Sequence, residues 1–205
     1  MKLVRFAVVG LCVLGVAVCG VALARLAGLV PPSKLPPYPA WTSLHFATAI
    51  AFALLIPLQL WKGLRARRPA LHRILGRTAV GIGAVMAVSG VAIAHLAPQR
   101  PVSEKIFMSV FFLAFAALLG LGLRAALARD LGAHRAWMIR MAATALTPLT
   151  QRLVFPLFAA GLGIDGLATF WQLFVSAAWI GWGVNLIVAE TVLRQARPAA
   201  QLAPA

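Results

Sequence analysis

Six long apolar stretches, joined by short polar connections, constrain the fold of this chain more than any other feature. They cover roughly residues 6–29, 43–61, 76–96, 106–126, 137–160 and 167–192. Each is long enough for a helix to cross a bilayer, which takes about 20 apolar residues. The chain is 62% hydrophobic with a mean hydropathy of +0.92, which is more apolar surface than 205 residues could bury in water. The sequence therefore predicts an all-α, polytopic membrane bundle of six transmembrane helices.

The connections between these stretches are too short to hold a separate folded or catalytic domain. We therefore expect one transmembrane domain over residues 1–197, followed by an Ala/Pro/Gln-rich, disordered tail at residues 198–205. Lys2 and Arg5 ahead of the first apolar stretch would also fit a cleaved signal peptide. Because that stretch is long for a signal peptide, we expect a retained first helix.

The formal net charge of +15 is distributed unevenly along the chain. With a cytoplasmic N-terminus, only Lys34, Arg100 and Lys105 fall in outer loops. Fourteen cationic residues fall on the inner side: Lys2, Arg5, Lys62, Arg65, Arg67, Arg68, Arg73, Arg77, Arg124, Arg129, Arg135, Arg140, Arg194 and Arg197. This imbalance predicts cytoplasmic N- and C-termini. The basic charge is then topological, so we expect the lipid bilayer as partner and no nucleic acid; the oligomeric state stays open.

The chain has four histidines, and each lies where an apolar stretch begins or ends. In the predicted topology His72 and His134 lie at the inner face, and His45 and His95 lie at the outer face. A bis-histidine haem needs one imidazole from each of two helices that face each other across the bundle. Each pair has the depth for such a site. Four interfacial histidines without a ligand would show the same spacing, so both interpretations stay open.

A glycine stripe follows His72 along the third predicted helix. At 100° per residue, His72, Gly76, Gly83 and Gly90 fall within about 40° of one another. Such a stripe leaves room for a flat cofactor against the helix backbone. It would equally allow close packing of a neighbouring helix, which is common in membranes.

Arg152 is the most unusual charge, because it lies well inside the fifth predicted helix. A lipid-facing arginine there costs at least about 2.5 kcal/mol, so we expect it to face the bundle interior and meet an anion or a carbonyl. Arg73, Arg140 and Arg152 are the candidates for neutralising haem propionates. None of the acidic residues lies in mid-membrane, which argues against a carboxylate-driven pump, and no catalytic motif occurs.

Several of these segments together resemble a known family. A helix that opens with His45 closes in Pro57-Leu58-Gln59; Leu71-His72-Arg73-Ile74-Leu75-Gly76-Arg77 follows; and His134-Arg135-Ala136-Trp137-Met138-Ile139-Arg140 precedes Arg152. Over roughly residues 40–155 this resembles domain of unknown function 2306, which implies a multi-pass protein of the bacterial inner membrane without an established activity. The Leu-His-Arg-x-Leu-Gly element is also similar to ferric-reductase-like and di-haem cytochrome b membrane domains, which implies haem b.

Our leading hypothesis is therefore a cytochrome b-like electron carrier that exchanges electrons with a redox partner or a quinone. The alternative is a non-enzymatic binding or transport protein for an anionic or lipid-like ligand. A third possibility is a structural subunit of a membrane complex. Whether the protein is an enzyme is left undecided. The inner mouth of the alternative would be built by His72, Arg73, Arg77, His134, Arg135 and Arg140.

Overall fold

The computed structural model describes residues 39–196 and, ahead of them, residue 17 alone. Seven helices make up residues 39–196, and that part of the chain contains no strand. They are α1 (Pro39–Leu60), α2 (Lys62–Arg67), α3 (Pro69–Leu96), α4 (Val102–Leu127), α5 (Leu131–Ala145), α6 (Thr147–Leu162) and α7 (Leu167–Gln195). The predicted first helix, apart from residue 17, and the predicted tail lie outside the described residues.

Four of the described helices are long and apolar enough to cross a membrane: α1, α3, α4 and α7. Their outward faces carry large apolar side chains in mid-helix, since Val88, Leu113 and Ile187 are 63%, 69% and 68% exposed. Water would oppose this exposure, whereas lipid tails match it. The all-α membrane fold is therefore confirmed, with four candidate spans within the described residues.

The third predicted stretch, 76–96, begins too late. In the structure α3 starts at Pro69, a residue that favours the first turn of a helix because its missing N–H would be unpaired there anyway. The short α2 precedes it and buries Leu64. The arginines of this segment lower its hydropathy but are good helix formers, so hydropathy alone places the helix start too late.

The fifth predicted stretch, 137–160, is wrong as a single helix, because the structure divides it into α5 and α6 at Leu146. Pro148 has no N–H to donate to the carbonyl of Thr144, which interrupts the helical hydrogen bonds there. Both pieces still pack along α7, and Gln151 Nε2 of α6 donates to the carbonyl of Phe174 at 3.0 Å.

The helices pack in the order α1, α3, α4, α5, α7 and α6, each against the next, and α4 also contacts α7. This makes α4 the central helix. Its buried phenylalanines, Phe107, Phe111, Phe112 and Phe115, form the middle of the core, and Phe52 of α1 packs edge-on against Phe115. The His45 ring also packs edge-on against Phe112 of this layer, with ring centres 5.6 Å apart.

The described bundle has two ends of different charge. The basic end comprises α2, the first turns of α3, the last turns of α4 and the start of α5. The opposite end comprises the start of α1, residues 94–105 and the connection between α6 and α7. These two names are used below.

Candidate functional site at the basic end

The turn between α4 and α5 is closed by backbone and side-chain hydrogen bonds. The N–H of Asp130 donates to the carbonyl of Ala125 at 3.0 Å, and the N–H of Arg129 donates to that of Ala126 at 3.1 Å. Arg129 has φ 60, the left-handed conformation that this helix ending requires. The Asp130 carboxylate then caps α5 by accepting from the N–H of Ala133 at 2.9 Å. The turn reverses the direction of the chain, so that α5 packs against α4.

This close return places His134 against the end of α4. Its Nδ1 lies 2.8 Å from the carbonyl oxygen of Gly122, which can only accept, so Nδ1 carries the proton and Nε2 keeps its lone pair. Nε2 makes no hydrogen bond to any described residue. A Cβ at Gly122 would overlap the end of the Met138 side chain, so glycine permits the approach of the two helices. Sequence reasoning missed Gly122, for which the Gly-Leu-Gly run at 120–122 was the only signal.

His72 faces the same region from α3. Its backbone carbonyl accepts a hydrogen bond from Gln59 Nε2 of α1 at 3.3 Å. Its ring Nδ1 is buried and has no hydrogen-bond partner among the described residues. The ring interacts electrostatically with His134, Arg65 and Arg73. The two histidines that the sequence paired at this end are thus near enough to interact electrostatically, but no direct contact joins their rings.

Two of the three arginines that were predicted to neutralise haem propionates bind other groups in the structure. Arg140 forms a two-bond ion pair with Glu190 of α7, with Nη2 to Oε2 at 3.0 Å, and its guanidinium lies 5.0 Å from the centre of the Trp137 ring. Arg152 lies on α6, beyond the break, and donates to the carbonyl of Pro148 at 2.7 Å. The expected carbonyl partner is present, but the expectation that Arg152 faces the interior is wrong, because its side chain is exposed. An exposed side chain on a membrane helix can reach along the surface towards polar groups.

The three glycines of the stripe differ in how closely other side chains pack against them. A Cβ at Gly90 would overlap the Phe112 ring, and Gly83 is likewise covered by leucine and phenylalanine side chains. At these two positions the structure shows close helix packing. Gly76 is the most open of the three, with Gln59 Oε1 at 3.4 Å from a Cβ built there. Of the three stripe glycines, the one nearest His72 is therefore the least crowded.

The second predicted pair, His45 and His95, is not joined by any contact in the described structure. His45 Nδ1 donates to the carbonyl of Met86 at 3.1 Å. His95 is exposed and its Nε2 donates to Ser109 Oγ at 2.8 Å, because the Ser109 hydroxyl proton goes to the carbonyl of Lys105. Met86 and His95 are about 14 Å apart along α3. The two rings therefore lie at different depths.

The described residues contain no group of three or more His, Cys, Asp or Glu side chains that could hold a metal ion. The basic end offers two imidazoles instead. Two nitrogen ligands do not complete the coordination of a bare ion, but they match the two axial positions of a metal held in a planar macrocycle.

Comparison with known proteins places the chain among membrane proteins. The model of a family described as predicted membrane protein, DUF2306, matches residues 42–193. The chain belongs to this family. The match begins in α1 and ends in α7, so all four histidines of this DUF2306 protein lie within it. The resemblance to domain of unknown function 2306 is therefore confirmed, whereas no match supports the similarity to ferric-reductase-like or di-haem cytochrome b domains. No curated protein and no solved structure matches the chain. Family membership establishes an integral membrane protein and leaves the chemistry of the site to its geometry.

Proposed function

We propose that this DUF2306 protein binds one b-type haem at the basic end and serves as a membrane electron carrier, with His72 and His134 as axial ligands. The observation that carries the proposal is the buried, unpartnered Nδ1 of His72, whose ring interacts electrostatically with that of His134. A buried polar atom without a partner costs about 1–3 kcal/mol. A ligand that uses this nitrogen would remove that cost.

The setting of His134 supports the same assignment. Imidazoles that bind metals are commonly held by a hydrogen bond from the other ring nitrogen, which fixes both the tautomer and the ring orientation. The Gly122 carbonyl accepts such a hydrogen bond from His134 Nδ1 at 2.8 Å, which leaves Nε2 of His134 as the electron-pair donor.

The charges around His72 suit a dianionic group. Arg65 and Arg73 act electrostatically on His72, and Arg73 is exposed. Guanidinium groups bind carboxylates through charge-assisted hydrogen bonds. Because Arg140 is already paired with Glu190, we expect Arg73 rather than Arg140 or Arg152 to meet a propionate. When bound, haem would supply reversible one-electron exchange, with a quinone or a redox protein as partner.

The proposal is limited to one haem. At the opposite end, His45 and His95 each donate a ring N–H to a protein acceptor, and they lie at different depths along α3. These contacts favour structural roles for both rings.

We also infer six spans, with both termini on the cytoplasmic side of a bacterial inner membrane. The fourteen-to-three distribution of cationic residues supports this orientation. The packing of both α5 and α6 along α7 supports counting those two helices as one interrupted span.

The test is a reduced-minus-oxidised optical spectrum of the full chain, purified in mild detergent after expression with added haem. We expect b-type bands at one haem per chain. His72→Ala should abolish them, whereas His95→Ala, on the same helix, should keep them. Size-exclusion chromatography of both variants separates loss of haem from loss of fold. A flat spectrum from well-folded wild-type protein, or unchanged bands in His72→Ala, would refute the proposal.

One observation favours the alternative, a binding protein for an anionic or lipid-like ligand. At the basic end, Arg140 is the only cation with a carboxylate partner among the described residues, so the charges of Arg73, Arg77 and Arg135 are not compensated there. Anionic lipid head groups are attracted to such clusters. This reading predicts a colourless protein that retains anionic lipid through purification.

A further inference from the structure

Polar side chains of α7 bind both sides of the break between α5 and α6. Asn185 Nδ2 donates to the carbonyl of Ala143, in the last turn of α5, at 3.1 Å. Asn185 Oδ1 accepts from Thr150 Oγ1 of α6 at 2.9 Å, which fixes the orientation of the amide. Trp182 Nε1 donates to the buried Thr144 Oγ1 of α5 at 3.1 Å. The last carbonyls of a helix lack a donor within that helix, and α7 provides one for α5.

Thr147, the first residue of α6, has a buried hydroxyl without a hydrogen-bond partner among the described residues. Threonine hydroxyls inside helices can donate to the carbonyl four residues earlier. Thr48, Thr78 and Thr191 make this bond, at 2.8, 3.1 and 2.8 Å. The corresponding acceptor for Thr147 is the carbonyl of Ala143, which accepts from Asn185 instead. The break therefore leaves one carbonyl with two possible side-chain donors, of which only Asn185 uses it.

The helix α6 is held mainly by α7. It packs along α7 and has only slight contact with α5. Its two buried residues, Thr147 and Gln151, are both polar, and Gln151 Nε2 donates to the carbonyl of Phe174 in α7. A Cβ at Gly181 of α7 would lie 3.2 Å from the backbone nitrogen of Gln151, so the two helices approach closely. The helices α6 and α7 thus form a hairpin, which Leu146 connects directly to α5.

We propose that Leu146 is a hinge between α5 and the α6–α7 hairpin, and that Asn185 holds this hinge closed. In the closed state, which the structure shows, the Ala143 carbonyl accepts from Asn185 Nδ2. In the open state α7 moves away from the last turn of α5, the first turn of α6 aligns with α5, and the Thr147 hydroxyl donates to that carbonyl. The exchange replaces one hydrogen bond with another, so the two states differ little in free energy. The hinge does not depend on haem, because neither α6 nor α7 carries a histidine.

The test is double electron–electron resonance spectroscopy on the full chain in lipid nanodiscs, with Cys12→Ser and Cys19→Ser removing the native thiols. Spin labels at Leu157→Cys of α6 and Val88→Cys of α3, both exposed, report the position of the hairpin relative to the rest of the bundle. Labels at Val88→Cys and Leu113→Cys form the control pair, because α3 and α4 pack together outside the hairpin.

Variants assign the motion to the exchange of donors. Asn185→Leu should raise the ratio of open to closed distances for the hairpin pair by about threefold to tenfold and leave the control pair unchanged. Thr147→Val, added to Asn185→Leu, removes the competing hydroxyl and should lower this ratio by about threefold. Thr191→Val, added instead, is the matched control, because the Thr191 hydroxyl bonds a carbonyl of its own helix.

An unchanged distance distribution in Asn185→Leu would overturn the proposal, as would equal effects of Thr147→Val and Thr191→Val in that background. Size-exclusion chromatography checks that each variant folds. Thr150→Val is a milder variant for the case that Asn185→Leu does not fold, because it removes the hydrogen bond that orients the amide and keeps Asn185. It should raise the ratio of open to closed distances by about threefold, and the absence of any rise would also refute the hinge.

Discussion

The two ends of the bundle leave different kinds of atom unpaired. At the basic end the unpaired buried atom is a ring nitrogen, Nδ1 of His72. At the opposite end both histidines have hydrogen-bond partners, and the unpaired buried atoms are oxygens of Thr42 and Glu104. Nitrogen lone pairs suit a transition metal, whereas these oxygens suit a hydrogen-bond donor. The histidines therefore have different hydrogen-bonding surroundings at the two ends.

Charge differs between the ends in the same way. At the basic end the ion pair Arg140–Glu190 is partly open, with side chains 23% and 39% exposed, and many cations around it lack a carboxylate partner among the described residues. At the opposite end Arg100 neutralises a carboxylate that is 3% exposed. The basic end therefore carries uncompensated positive charge, whereas the buried carboxylate of the opposite end already has its counter-charge.

The largest expected effect on stability comes from breaking the buried ion pair. Arg100→Ala would leave the Glu104 carboxylate buried without its counter-charge, which should cost about 3 kcal/mol. Arg140→Ala breaks the more exposed pair and should cost about 1 kcal/mol or less, because solvent screens Glu190. Unfolding in mixed micelles by titration with SDS, followed by circular dichroism, measures both. Equal losses in the two variants would mean that the ends do not differ in burial as described.

The next largest effect on stability concerns the glycine stripe, which is tightly packed towards the opposite end and less tightly packed towards the basic end. Gly90→Ala forces the buried Phe112 ring to move and should cost about 1–3 kcal/mol. Gly76→Ala meets only Gln59 at 3.4 Å and should change stability by less than about 1 kcal/mol.

Gly81→Ala is the control for this series, since nothing lies within 4 Å of a Cβ built there and the change is expected to be neutral or stabilising. The same SDS titration applies. If Gly76→Ala proved as costly as Gly90→Ala, the basic end would be as tightly packed as the opposite end, and room for a cofactor beside His72 would be lost.

Helix content could be predicted from the sequence because apolar stretches and bilayer thickness decide it. The break at Leu146 could not, since Pro148 and Pro156 both lie in the predicted helix and only Pro148 coincides with an interruption; Pro156 lies inside α6. Membrane helices tolerate proline where neighbouring groups satisfy the freed carbonyl. Whether they do so depends on packing against α7, which local sequence does not encode.

The two histidines of the candidate site could be proposed from the sequence, whereas their surroundings could not. The depth of His72 and His134 follows from helix length, so pairing them was possible. The Gly122 carbonyl that orients His134 and the ion pair that Arg140 forms with Glu190 both depend on which helices are neighbours. Arg140 and Glu190 are 50 positions apart, and no local pattern links them.

The smallest expected effects on stability concern two hydrogen bonds that tie α1 to α3, one near each end of the bundle. Gln59 Nε2 donates to the carbonyl of His72 at 3.3 Å, and His45 Nδ1 donates to that of Met86 at 3.1 Å. Interhelical hydrogen bonds in membranes average about 0.6 kcal/mol, so Gln59→Leu and His45→Leu should each lose about that much in SDS titration. The ties are about 21 Å apart along α1, too far to interact directly, so the double variant should lose the sum. A loss of unfolding free energy much larger than this sum would show that the whole of α1 separates from α3 once both hydrogen bonds are removed. The two ends would then be coupled through α1 and not independent.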